Sequence, residues 1–548
     1  MPKMHRGRTA VAAALLLGVT AGCGGGQTGQ ALKVEQNGSK VYRAGTPTKP
    51  LDQVKWYTFY RPVLGLVSAA FNDYPELMVN ANLCESVVRL DPDYSIKPGL
   101  TTFTVNPDST VFTYKIRPGA KFWDGSPVTT GDIIYSITAN TTGSTGAQNA
   151  TIGNEIKSMV ATAPDTVTIT LKAPDIIFND QLAGSAGKVY QKKQAQAAGQ
   201  NWGLPAAGVM CTGPYKTGRW DPASSLEIVR NDDYWGPDFK PLVRSVVFSW
   251  PQDPTTLANA FRGGTLDGGW NIPPSIVPTL QRSGNGTMIV GSSDNAVQMY
   301  GLVVSNTTKG SLADPKVRQA LSKSIDRDAI AAKIYNGAAD PLAGLIPPGS
   351  IGDDSTSLKS ATARISTAQD VVGAKQLIAE TGKPAPTLTL ALPAADALAN
   401  PTAVAVQSQA AAAGFKITLK PMEPNQYAQL FADPAARKGV DLFFTVYAPI
   451  VHDPIVYLND LIAADGVYNF NGYDNPMVQR ALADARAQTD PAKRADGLLR
   501  AQDQFLKDLP LLPLTAPRVT VWEGPGLTGS PTTFTYVQSP WAALLGGK

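Results

Sequence analysis

The chain has 548 residues, 43% hydrophobic and 17% charged, with a formal net charge of +4. That length exceeds what one hydrophobic core sustains, so two or three domains are expected, and the apolar-to-charged balance excludes a disordered chain. Lys3, Arg6 and Arg8 cluster at the start, and nothing later forms the concentrated basic patch that a nucleic-acid partner requires.

Residues 1–22 read as a secretion signal: a basic start, the apolar run Val11–Val19, then Thr20-Ala21-Gly22-Cys23. The run is too short to span a bilayer permanently. Ala-Gly-Cys resembles a bacterial lipobox, with Cys23 as the lipidated first residue of the mature chain. The Gly-, Gln- and Asn-rich segment that follows, to residue 40, reads as a flexible tether. No later stretch is long and apolar enough for a membrane helix. Of the three cysteines, Cys84 and Cys211 remain. Parity and an exported compartment favour a disulfide between them over two free buried thiols.

In the body, Trp56-Tyr57-Thr58-Phe59-Tyr60-Arg61 precedes a helix-like stretch around Ala81–Val88. Val111–Ile116 alternates in period 2, placing Phe112, Tyr114 and Ile116 on one face of a half-buried strand. Pro118-Gly119 and Asp124-Gly125-Ser126-Pro127 mark turns. Thr129, three residues before Asp132, then opens a helix as a capping box. A strand is expected at Thr166–Leu171, a glycine-rich strand after Cys211-Thr212-Gly213-Pro214-Tyr215, and its return through Leu226–Val229 to Asn231-Asp232-Asp233-Tyr234-Trp235. A helix from Pro254 leads to Leu266-Asp267-Gly268-Gly269-Trp270. Asp314-Pro315 is a helix start, with Val317, Ala320, Leu321, Ser324 and Ile325 on one face. Val371–Glu380, Thr387–Leu392, Val404–Ala413 and Phe415–Leu419 alternate helix and strand, which implies an α/β lobe. Asn475-Pro476 and Asp490-Pro491 open two more helices, the second running to about Lys507, before a strand at Arg518–Trp522.

The wording of Tyr114–Val128 (YKIRPGAKFWDGSPV) with Gly131-Asp132-Ile133-Ile134-Tyr135-Ser136 resembles the signature block of the family 5 extracellular solute-binding proteins, the peptide, nickel and related receptors of ABC importers. The TGPY strand, the N-x-x-Y-W turn and Val317-Arg318-Gln319-Ala320-Leu321 with Ile325-Asp326-Arg327 resemble the same family. The resemblance implies an α/β, two-lobed periplasmic-binding-protein-like fold of class II, with an inserted subdomain and a two-strand hinge. Lobe I would comprise 41–297 plus 514–548, with the insertion over about 66–204, and lobe II 298–513. The crossings would lie near Tyr300–Val304 and Leu514–Val519, making closure a low-cost rotation with the ligand between the lobes.

Enzyme readings fail on inventory. The chain has two histidines, and His5 leaves with the leader, so His452 alone would have to serve a nucleophile. No G-x-S-x-G, H-E-x-x-H, C-x-x-C or P-loop motif occurs. No catalytic residue, metal site or cofactor is therefore expected. The resemblance instead turns Trp56, Tyr57, Tyr60, Arg61, Trp270, Asn271, Tyr447, His452 and Asp453 toward the cleft as ligand-binding residues, Arg61 being suited to a carboxylate. For any single aromatic among them, ordinary core packing is an equal alternative.

One departure from the family bears on the ligand. Peptide-binding relatives carry an aspartate after the second-lobe strand that grips the peptide's α-ammonium, and here that place falls at Ile450. Either Asp453 takes over, or the ligand has no free amino terminus there. The expectation is a monomeric, lipid-anchored receptor on the extracytoplasmic face of the cell membrane, delivering short peptides to an ABC permease. Haem, a chelated metal or an oligosaccharide are the alternative ligands; a secreted hydrolase or a structural cell-wall protein are the alternatives in other classes.

Overall fold

The computed structural model describes residues 41–62, 65–68, 73–142, 147–351, 355–394, 396–449 and 451–548. The leader, Cys23 with the tether, and Ile450 lie outside them.

A seven-stranded sheet runs, in spatial order, Thr287–Val290, Thr520–Glu523, Gly268–Trp270, Leu51–Tyr57, Val243–Ser249, Ser225–Arg230, Tyr215–Asp221. Leu51–Tyr57 pairs in parallel with both of its neighbours. Parallel partners need crossover connections, and the long connection from Tyr57 to Val243 carries a separate four-stranded antiparallel sheet built on Val111–Ile116. Phe112 and Tyr114 are buried there as the alternation requires, with Ile116 only partly covered. The capping box also forms: the Thr129 amide donates to the Asp132 carboxylate at 3.0 Å, and the Asp132 amide donates to the Thr129 hydroxyl at 3.2 Å.

A six-stranded sheet runs Ala339–Pro341, Leu511–Pro517, Met299–Val304, Leu442–Tyr447, Thr387–Pro393, Lys416–Met422. Met299–Val304 is buried along its whole length, because helices cover both faces. Leu302, Leu390 and Leu442 pack with Leu321 and Val406 on one face. Val303, Ala391 and Phe443 pack with Leu458, Leu482 and Leu498 on the other. Pro315–Ser324, Pro476–Ala487 and Pro491–Asp508 begin where the Asp-Pro and Asn-Pro pairs place them, each capping side chain accepting an amide of the first turn.

The chain passes from the first sheet to the second through residues 291–298 and returns through Arg518 and Val519. The Gly291 amide donates to the Val519 carbonyl at 2.7 Å, which ties the two passages together. Arg518 anchors its passage on Asp340, its Nε lying 3.1 Å from both carboxylate oxygens. Leu511–Pro517, which the sequence reading divides at 514, lies whole in the six-stranded sheet.

One local expectation is corrected. The helix expected around Ala81–Val88 is Tyr74–Leu83, followed by the strand Val88–Leu90. Asp73 caps it and Pro75 stands in its first turn, the same start signal as elsewhere. Cys84 ends it in an extended conformation, bonded to Cys211 with Cα atoms 4.9 Å apart.

Candidate functional site

Two aromatic surfaces face one another between the sheets. On the first, Trp56 and Trp270 are buried in the core, ring centroids 4.5 Å apart, and each packs on Trp541. Trp270 stacks on Tyr536 at 4.3 Å and donates its indole N–H to the Pro531 carbonyl at 2.9 Å. From Tyr536 the rings continue through Phe534, Tyr74 and Phe59 to Tyr60, whose hydroxyl donates to Asp73. Burial, with Asp73 beside it, pushes the Tyr60 hydroxyl well above the ordinary tyrosine range. Tyr57 is buried edge-on to Phe261. Arg61 is exposed. Asn271 takes a left-handed backbone with φ 54°, and its Oδ1 accepts from the Tyr536 hydroxyl at 3.2 Å.

On the second surface, Tyr447 packs against Tyr457 and Tyr468 and donates its hydroxyl to Asp460 at 2.6 Å. Asp453 accepts from the Ile455 amide at 2.9 Å as helix cap and pairs with Arg494 at 2.5 Å. Both duties engage the carboxylate that the sequence offered for an ammonium.

The two surfaces touch at His452. Its ring stacks on Tyr94 with centroids 3.9 Å apart and planes 15° from parallel, while its Nε2 meets the Gly349 carbonyl. Tyr94 tops the turn between the strands Val88–Leu90 and Ile96–Pro98 with φ 64°, an uncommon backbone for a bulky residue and one that clusters at functional positions. Its hydroxyl accepts from the Phe534 amide at 3.2 Å. Tyr94, Val451, His452, Phe534, Thr535 and Gln538 line a void of about 10 Å³, room for roughly one water. At this contact the surfaces are closed on one another, and a guest larger than water must part them there.

A second seam, of charge, lies beside the first. Arg486 in the last turn of Pro476–Ala487 pairs with Glu155 of the inserted segment. Burial pushes the Glu155 carboxyl up, against the pull of Arg486 and with Asp175 adding to the rise. Burial lifts Asp180 to about 7, with Asp453 raising it further and Arg494 opposing. Asp460 is raised to about 6 by burial, which its bond from Tyr447 and the charge of Arg486 oppose. Among the described residues no group of three His, Cys, Asp or Glu side chains is placed to hold a metal ion, and no helix is long and apolar enough to cross a membrane.

Of the residues read from the sequence, Trp56, Tyr57 and Trp270 are packed in the first core, Tyr447 and Asp453 in the second body, and His452 at the contact. Sequence reasoning missed Tyr94, Phe534, Gln538 and, apart from Asp453, the charged seam. Tyr94 was legible as a large residue inside a Pro-Asp-Tyr-Ser turn; Phe534 and Gln538 belong to a tail without periodicity, and only the tertiary fold brings them here.

The family model described as bacterial extracellular solute-binding proteins, family 5 Middle, matches residues 95–469. The glutathione-binding protein GsiB of Escherichia coli (strain K12) is 26% identical over 465 residues, covering 84% of this chain and 88% of that protein. Among solved structures, the ABC transporter-associated periplasmic binding protein DppA from Helicobacter pylori in complex with peptide STSA superposes with a TM-score of 0.76 at 22% identity, over 91% of this chain and 98% of that one. NikA from Brucella suis in complex with Fe(III)-EDTA gives 0.74 at 20% identity, over 90% and 100%. At such identities these two structures speak for the fold.

Proposed function

Because the chain belongs to the bacterial extracellular solute-binding proteins of family 5, with their two-lobed fold, we propose that it is the lipid-anchored receptor of an ABC importer, capturing short peptides between its lobes and delivering them to the permease. One lobe is built on the seven-stranded sheet and the other on the six-stranded sheet, and they divide at residues 291–298 and at Arg518–Val519. Cys23 carries the lipid.

The observation that carries this reading is the closed aromatic contact between two sheets joined, among the described residues, by two short passages. Two passages act as a hinge: the bodies rotate apart with little backbone change, and the stack of Tyr94 on His452 separates as Ile177 of the inserted segment leaves the second core. A guest then meets flat apolar walls with few polar anchors, and main-chain pairing gives affinity with weak side-chain selectivity. The ligands of two relatives, glutathione and the peptide STSA, support a short peptide as the solute.

The test is a thermal-shift series with unrelated tri- and tetrapeptides. A ligand at a hundredfold excess over its Kd adds about 2.7 kcal/mol to stability, enough to raise Tm by about 2–3 °C in a chain of this length. Several peptides are expected to raise it, and each is expected to be recovered chemically unaltered. Peptides that leave Tm unmoved while haem, a chelated metal or an oligosaccharide raises it would reassign the ligand; turnover of the peptide would reassign the protein.

A further inference from the structure

We infer that the inner end of the cleft is a subsite for an uncharged, amide-bearing part of the ligand, read by the carboxamide of Gln538 and flanked by the rings of Tyr94 and His452. The inference rests on the receptor reading above and narrows its ligand.

The first ground is Gln538 itself. The residue is 3% exposed, and among the described residues neither its Oε1 nor its Nε2 has a hydrogen-bond partner. Its backbone, by contrast, is fully engaged: the amide donates to the Thr535 carbonyl at 2.9 Å, and the carbonyl accepts from the Lys188 ammonium at 3.2 Å. Burying a carboxamide with nothing to bond is costly, and such groups are rare in folded proteins. This one lines the void between the two surfaces, so the missing partner has a place to come from. A carboxamide offers a donor and an acceptor side by side, and its complement is another amide presenting the reverse pair.

The second ground is what surrounds it. No Asp, Glu, Lys or Arg is among the described residues lining the void. The nearby charges are committed elsewhere: Asp453 to Arg494, and the Lys188 ammonium to the carbonyls of Cys84 at 2.8 Å and Gln538. A peptide ammonium placed here would be buried without a counter-charge, whereas a neutral amide carries no charge to bury. The faces of Tyr94 and His452 stand 3.9 Å apart, so admitting a planar group requires them to part. Entry of the ligand and opening of the cleft are then one motion.

The experiment is calorimetric titration of the mature full chain with N-acetyl-Ala-Phe-Ala-amide and, in parallel, with the free tripeptide Ala-Phe-Ala. The blocked peptide is expected to bind at least as tightly as the free one. Gln538→Leu is expected to weaken the blocked peptide by about tenfold or more, as loss of a buried amide pairing would. Its unliganded Tm is expected to equal or exceed the parent's, because an unpartnered amide has been removed. If that variant does not fold, Gln538→Met, unbranched and of like length, carries the same comparison. A free tripeptide bound about tenfold or more tighter than the blocked one, or a Gln538 variant that binds like the parent, overturns the inference and leaves the receptor reading standing. Failure of both peptides to bind the parent removes the peptide reading and this subsite together.

Discussion

The two seams where the lobes meet are built from opposite chemistry. One is the stack of Tyr94 on His452, with aromatic rings behind each partner. The other sets Glu155, Asp175 and Asp180 of the inserted segment against Arg486, Arg494, Asp453 and Asp460. Aromatic contact is weakly directional, so it opens and recloses at small cost. Buried charge behaves otherwise. Each ion is expensive to desolvate, and the arginines here face more carboxylates than they can neutralise, so closure favours protons on the excess. The aromatic seam is suited to exchanging its contact for a ligand, while the charged seam sets how readily the lobes stay together.

Four substitutions and one titration would break or sharpen that contrast. The largest effect is expected away from both seams. Trp270→Ala empties the core shared with Trp56, Trp541 and Tyr536 and strands the Pro531 carbonyl, and should cost about 3–5 kcal/mol in urea unfolding. It should leave the pH dependence of closure untouched; a changed pH profile would mean the core and the charged seam are not independent. Arg486→Ala comes next. It removes the partner of Glu155 and a positive charge that acts on Asp460. A fully buried pair broken from one side costs about 3–5 kcal/mol, and partial exposure of this one lowers the expectation to about 2 kcal/mol at pH 8. At pH 5 the loss should shrink, because the carboxyls then carry protons. An equal loss at both pH values would show the seam to be ordinary packing.

The titration follows from the same groups in the parent. Asp180 and Asp460 hold protons in the closed protein up to about 7 and about 6, and Glu155 is raised as well. In an unfolded chain they titrate near 4. Between these limits the closed state binds more protons, so its stability falls as pH rises. Below about 4 both states are protonated, and above the raised values neither is, so the slope vanishes at both ends. The slope has an upper limit of roughly 1.4 kcal/mol per pH unit for each group. Small-angle scattering of the unliganded protein from pH 5 to pH 8 should record a growing open fraction. A flat profile would remove the role assigned to the charged seam.

Much of the fold was legible because it is written in local chemistry. Asp314-Pro315, Asn475-Pro476 and Asp490-Pro491 start helices whatever surrounds them, and Val111–Ile116 declares its buried face by alternation. The site was less legible, since its chemistry is relational. Trp56 and Trp270 look like ligand walls in sequence, yet they fill a core, because a large ring on a central parallel strand has covered faces on both sides. Gln538 carries no local mark, and only tertiary packing brings it together with Tyr94 and His452. Asp453 was readable as a helix cap from Asp-Pro, and that reading already competed with its use as an ammonium grip.

The smallest expected effect tests the aromatic seam directly. Tyr94 holds its ring from a left-handed backbone with φ 64°, where most side chains are strained and asparagine is tolerated. Tyr94→Asn therefore removes the ring and its stack while leaving the turn its preferred geometry. Aromatic pairs contribute about 0.5–1.5 kcal/mol beyond the area they bury, so the closed state should lose roughly 1 kcal/mol. His452→Ala should lose a similar amount, plus its contact with the Gly349 carbonyl. Because the rings touch, the double variant should cost less than the sum of the two. Scattering should show each variant more open at pH 5, where the charged seam still holds, and ligand should restore closure only in part. Additive losses, or a Tyr94→Asn protein as closed as the parent, would mean that the stack at 3.9 Å is a by-product of closure rather than one of its causes.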